Sequence, residues 1–108
     1  MLVVVNKYFP AGRFDGIVLW PFVFVKRREL KKDPVFMNHE RIHFKQQQEL
    51  LIVFFYVWYL FEYLVRLIKY RNSYKAYNKI SFEREAYANE DDPEYIESRK
   101  FWSFTKFL

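Results

Sequence analysis

The stretch Asp33-Pro34-Val35-Phe36-Met37-Asn38-His39-Glu40-Arg41-Ile42-His43 decides how the remainder of the chain reads. Aspartate followed by proline starts a helix: the carboxylate accepts an orphan N–H, and proline at the first helical position has none to lose. This helix carries the only two histidines of the sequence, four positions apart. Positions i and i+4 stack on one helix face, so both imidazoles can point at one ion, and neutral imidazole is a good zinc ligand. Glu40 lies about 100° around the helix from His39, within reach of a water held at such an ion. H-E-x-x-H therefore offers two ligands and a general base from five residues. The plainer reading of the same spacing is two polar residues on an exposed helix face.

Working outward toward the C-terminus, residues 35 to 70 contain no glycine or proline. One helix of about 36 residues, roughly 54 Å long, is expected there. Residues 50 to 68 are almost wholly apolar, broken only by Glu62 and Arg66, which are spaced to pair on one face. Such a run is about 28 Å long, the thickness of a bilayer core. Its Tyr56, Trp58, Tyr59 and Tyr63 lie within the run rather than as belts at its two ends. A buried or interfacial helix fits this at least as well as a spanning one.

Basic residues flank that helix on both sides, Lys26, Arg27, Arg28, Lys31 and Lys32 before the motif and Lys69, Arg71, Lys75 and Lys79 after the run. The net charge of +5 ordinarily suggests nucleic acid. Because the clusters bracket a hydrophobic helix, anionic lipid head groups are the better expectation, and no nucleic-acid partner is expected. An ordinary solvated surface is the alternative.

Toward the N-terminus, Leu2-Val3-Val4-Val5 reads as a short strand, and Pro10, Gly12 and Gly16 mark turns. Residues 17 to 25, Ile-Val-Leu-Trp-Pro-Phe-Val-Phe-Val, form an aromatic and β-branched run that predicts a strand. Pro21 inside it demotes it to an edge or bulged strand. An edge strand can pair with an extended peptide; the other reading is a core floor only. Past the long helix, Asn72-Ser73 is a turn signal and residues 74 to 80 are ambiguous. Ser81 is placed to cap a second helix with Glu83 and Glu85 in its first turn. Asp92-Pro93 repeats the cap-then-proline start for a third, ending near residue 104, whose aromatics read as core.

The chain has 108 residues, with 52 % hydrophobic and 23 % aromatic, which indicates one folded domain rather than disorder. It has no cysteine, so a metal here must be held by His, Glu, Asp and water. A catalytic zinc takes three protein ligands and leaves one position open.

Glu83-Arg84-Glu85-Ala86-Tyr87 is the segment in which a third ligand is sought, and there the chain resembles the gluzincin zinc metallopeptidases. In that family H-E-x-x-H is followed by a helix bearing E-x-x-x-D or E-x-x-A-D, whose first glutamate binds the metal. The resemblance aligns Glu83 with the ligand and Ala86 with the small residue, with Glu85 as the fallback. Tyr87 stands where the family has the aspartate that orients a ligand histidine. His43-Phe44-Lys45-Gln46-Gln47 extends the likeness to small H-E-x-x-H-x-x-Q-Q domains of peptidase type.

One distance constrains this. A straight helix to residue 70 ends about 40 Å beyond His43, and thirteen extended residues reach at most about 43 to 47 Å. The long helix must bend, or residues 71 to 82 must return almost straight, for Glu83 to meet the histidines. Single-pass spanning and a three-ligand site are nearly exclusive. The combined expectation is an α+β, predominantly helical fold over 1–108: a small antiparallel sheet packed on a long H-E-x-x-H helix, then two shorter helices. His39, His43 and Glu83 would hold one zinc ion, with Glu40 as base, in a peptidase acting on a peptide or protein. It would associate with the membrane surface on the cytoplasmic side, with a cytoplasmic location as the alternative and self-association through the apolar helix open. The rival reading is a non-catalytic membrane-associated or partner-binding protein with a vestigial or structural metal site.

Overall fold

The computed structural model describes residues 1–9 and 14–108, so the turn expected at Pro10 and Gly12 lies outside the described residues. Three strands, β1 (Leu2–Val5), β2 (Gly16–Leu19) and β3 (Phe22–Val25), form one sheet in the order β1-β3-β2. The run over residues 17 to 25 is thus two strands, and Pro21 sits in the Trp20-Pro21 turn, where its missing N–H breaks no ladder bond. That turn makes β2 antiparallel to β3, with Leu19 opposite Phe22. β1 runs parallel to β3, Leu2 opposite Phe22 and Val5 opposite Val25. The sheet is therefore mixed rather than antiparallel throughout, with β1 on the edge of β3 opposite to β2. Of the expected edge strand, only the β2 half is an edge. Val18, Val23 and Val25 point inward and pack with Leu30, Phe36 and Phe44.

α1 (Pro34–Glu49) starts as its sequence dictates: Asp33 Oδ1 accepts the Phe36 N–H at 3.1 Å. It does not continue to residue 70. The chain bends by 113° and resumes as α2 (Val53–Tyr70). At the break the Ile52 N–H bonds back to the Gln47 carbonyl at 2.9 Å, a six-to-one helix end. Leu51 and Ile52 take left-handed φ of 53° and 51°, positions usually left to glycine. The bend carries Leu50 and Phe55 into a second core with Ile80, Phe82 and Phe104.

Arg71, left-handed at φ 54°, ends α2, and Asn72 caps α3 (Ser73–Lys79) by accepting the Lys75 N–H. α4 (Ser81–Asn89) follows after one residue. Ser81 is its first residue rather than its cap: both its N–H, at 2.9 Å, and its hydroxyl donate to buried Glu62 of α2. An acid from another helix thereby satisfies the N-terminus, as a capping side chain does. Glu62 also faces Arg66 at 4.0 Å. The expected third helix is reduced to α5 (Tyr95–Ser98), because Arg99 turns out into extended backbone and a 3₁₀ turn follows at Ser103–Phe107. Overall the fold is α+β with a small sheet on the motif helix.

Candidate metal centre

The bend shortens the path that a straight helix would have lengthened, and α4 lies against α1. His39 Nε2, His43 Nε2 and Glu83 Oε1 converge, with separations of 3.1 Å between the two nitrogens and 3.3 Å and 3.0 Å from each to the oxygen. All three side chains are buried. Donors about 2.0–2.1 Å from a tetrahedral ion lie roughly 3.3 Å apart, so this triangle fits zinc closely. The three form a group able to hold a metal ion.

The partners of these side chains fix which atoms are offered. His39 Nδ1 lies 2.6 Å from Glu90 Oε2, and His43 Nδ1 lies 2.8 Å from Gln46 Oε1. Gln46 Nε2 donates to the Phe82 carbonyl and to Glu85 Oε1, both acceptors only, which settles the orientation of the amide. The Nδ1 proton of His43 is therefore required, and Nε2 is left to coordinate. Glu83 Oε2 accepts from the Tyr59 hydroxyl at 2.8 Å, so α2 also orients the third donor.

Electrostatics tie the triangle together. Burial opposes charge on His43, but the Glu83 carboxylate beside it outweighs that and pushes its pKa up to about 9. Burial likewise opposes charge on Glu83, and the His43 imidazolium more than offsets it, holding the carboxyl well below the usual range. Burial raises Glu40, partly countered by the two histidines. Burial and the Glu83 charge keep Tyr59 protonated as a donor.

Glu40 lines two adjoining cavities. The first, of about 270 Å³, is mostly apolar, with Ile17, Val18 and Phe55 on its walls; the second is bounded by Asp15, Phe36 and Glu90. Gly16 of β2 permits this approach, since a Cβ there would meet Phe36 Cζ at 2.5 Å and Glu40 Oε1 at 3.3 Å.

Of the sequence candidates, His39, Glu40, His43 and Glu83 meet at this point. Glu85, the fallback ligand, does not: it projects to the opposite side of α4. It is fully buried, where it accepts from Gln46, Tyr95 and Arg99. Tyr87, at the aspartate position of the resemblance, sets its ring edge-on to His39 at 4.4 Å. The carboxylate on His39 comes instead from Glu90, seven residues after Glu83 and hence on the same face of the helix. Asn38 holds that segment by directing its amide at the carbonyls of Asn89, Glu90 and Asp92. Gln47 serves the sheet, bonding the Trp20 N–H and the Val18 carbonyl. Gln46, three residues from His43, was detectable from helical spacing; Tyr59 was not, because its approach depends on the bend.

No family model, curated protein or solved structure matches this chain.

Proposed function

We propose that this chain is a zinc-dependent peptide hydrolase of the H-E-x-x-H type. The observation that carries the reading is the convergence of three buried donors, each oriented by a further hydrogen bond, beside a buried carboxylate that opens onto a cavity. The resemblance to gluzincins supports peptide as the substrate class, with Glu90 supplying what Tyr87 cannot.

His39, His43 and Glu83 would hold the ion. Zinc bound there supplies Lewis acidity and lowers the pKa of water toward 7. Glu40 takes up a proton from the attacking water and returns it to the leaving amine nitrogen. Its burial favours the protonated form and so suits it to the second transfer. Glu90 and Gln46 hold the imidazoles in the tautomer that presents Nε2, and Tyr59 fixes the Glu83 carboxylate. The apolar cavity walls exclude water and suit an apolar substrate side chain.

Metal analysis of the purified protein tests this most directly. About one zinc per chain is expected, and the combined His39→Ala and His43→Ala variant should hold none. Glu40→Gln should keep the zinc and lose hydrolysis of a peptide library. Full zinc retention in the double alanine variant would remove the proposal. Zinc binding by a wild-type protein that cleaves nothing would favour a structural ion.

A further inference from the structure

We propose that the outer face of α2 docks on an anionic phospholipid leaflet, with the helix lying in the plane of the interface. Phe54, Val57, Leu60, Phe61, Leu64 and Ile68 all point outward, with Phe54 62 %, Phe61 67 % and Ile68 77 % exposed. At 100° per residue these side chains, with Val53 and Val65, fill an arc of about 140° containing no charged group. The opposite side of α2 is anchored, Phe55 in the second core and Glu62 on Ser81. The helix cannot roll its apolar arc inward. Contiguous apolar surface of this extent marks an interaction site.

Charge identifies the occupant. Residues 50 to 80 contain the bases Arg66, Lys69, Arg71, Lys75 and Lys79 against the single acid Glu62, five minus one, or +4 of the chain's +5. Glu62 is buried, whereas Lys69, Arg71, Lys75 and Lys79 are exposed. An anionic leaflet complements that exposed positive charge. A second copy paired symmetrically through this same segment would bring the same excess of bases, with its single acid Glu62 buried. Among the described residues no single helix is long and apolar enough to cross a membrane, and of the one bent pair that passes by length and composition α1 is half buried within the fold, so the proposal lays α2 along the surface. Trp58 borders the apolar arc, partly buried, where an amphipathic ring favours the head-group level. This inference does not depend on a metal at the candidate centre.

Vesicle flotation tests it, using phosphatidylcholine alone and phosphatidylcholine with about 30 % phosphatidylglycerol. The wild-type chain should float with the anionic vesicles, at least about tenfold more strongly than with the neutral ones. Val57→Glu, Phe61→Glu and Leu64→Glu combined should abolish flotation, with unchanged circular dichroism since these positions are exposed. Lys69→Gln, Lys75→Gln and Lys79→Gln combined leave the apolar face intact and should remove only the preference for anionic vesicles. Wild-type chain that stays unbound to both vesicles would overturn the proposal. So would equal binding to both, or a soluble dimer by light scattering that the glutamate variant converts to monomer, which would assign the face to a second copy.

Discussion

His39 and His43 present Nε2 to a common point because Glu90 and Gln46 occupy their other nitrogens. Such partners typically contribute 10- to 100-fold to metal affinity. Glu90→Ala is therefore expected to weaken zinc binding by about 10- to 100-fold, measured by chelator competition, and Glu83→Gln by more. An unchanged affinity in Glu90→Ala would mean that Tyr87 alone orients His39. Proton and metal also compete for His43 Nε2, whose pKa of about 9 in the metal-free fold stands above its ordinary 6.5. Protonation at that atom stabilises the metal-free fold fully below pH 6.5, and the contribution is lost as pH rises toward 9. Zinc affinity should accordingly climb about tenfold per pH unit and level off near pH 9; a flat profile between pH 7 and 9 would contradict the buried His43–Glu83 pair. Both histidines, Glu40 and Glu83 were legible from spacing and resemblance. Glu90 was not, because the resemblance points to Tyr87, one helical turn beyond Glu83, and the carboxylate stands two turns beyond.

At the scale of elements, the decisive event is the bend between α1 and α2. Two residues other than glycine with positive φ, of which Ile52 at ψ −61° lies outside even the left-handed helical region, cost about 1–3 kcal/mol each. Burying Leu50 and Phe55 in the second core contributes about 1.5–3 kcal/mol each. The two are of the same size, so burial offsets the strain, and strain at Leu51 is retained. Leu51 is 70 % exposed, so Leu51→Gly removes little packing and should raise the unfolding free energy by up to about 1 kcal/mol, read from the denaturant midpoint. In a continuous helix the same change would lower stability by about 1 kcal/mol, so the sign decides. The sequence concealed the break because no glycine or proline lies between residues 35 and 70; tertiary burial, not local propensity, ends α1. The start of α1 was legible because Asp33 and Pro34 act locally. The third helix was overread for the converse reason: its start signal is local, but its end is set by what Arg99 must reach.

At the scale of the whole molecule, α1, α4 and the C-terminal segment are joined through Arg99. Its side chain is 2 % exposed, and its guanidinium bonds Glu49 Oε1 at 3.0 Å and Glu85 Oε1 at 3.1 Å. Burial disfavours its charge, but the hydrogen bonds to Glu85 and Glu49 outweigh this and raise its pKa further. Glu85 continues through Gln46 to His43, so the latch and the candidate metal centre share one network. By contrast the Arg27–Asp15 pair is about half exposed on both sides, and such pairs contribute at most about 1 kcal/mol. Arg99→Met keeps most of the side-chain volume while leaving buried Glu85 and partly buried Glu49 without their cation. It should lower the unfolding free energy by about 3–5 kcal/mol, whereas Arg27→Met should change it by less than about 1 kcal/mol. Adding Glu49→Gln and Glu85→Gln to Arg99→Met should recover part of that loss, because the penalty lies in the orphaned charges rather than in the missing pair. Chemical denaturation of the three variants measures this. Equal losses for Arg99→Met and Arg27→Met would show that the C-terminal segment is held by Phe104 and its aromatic neighbours instead.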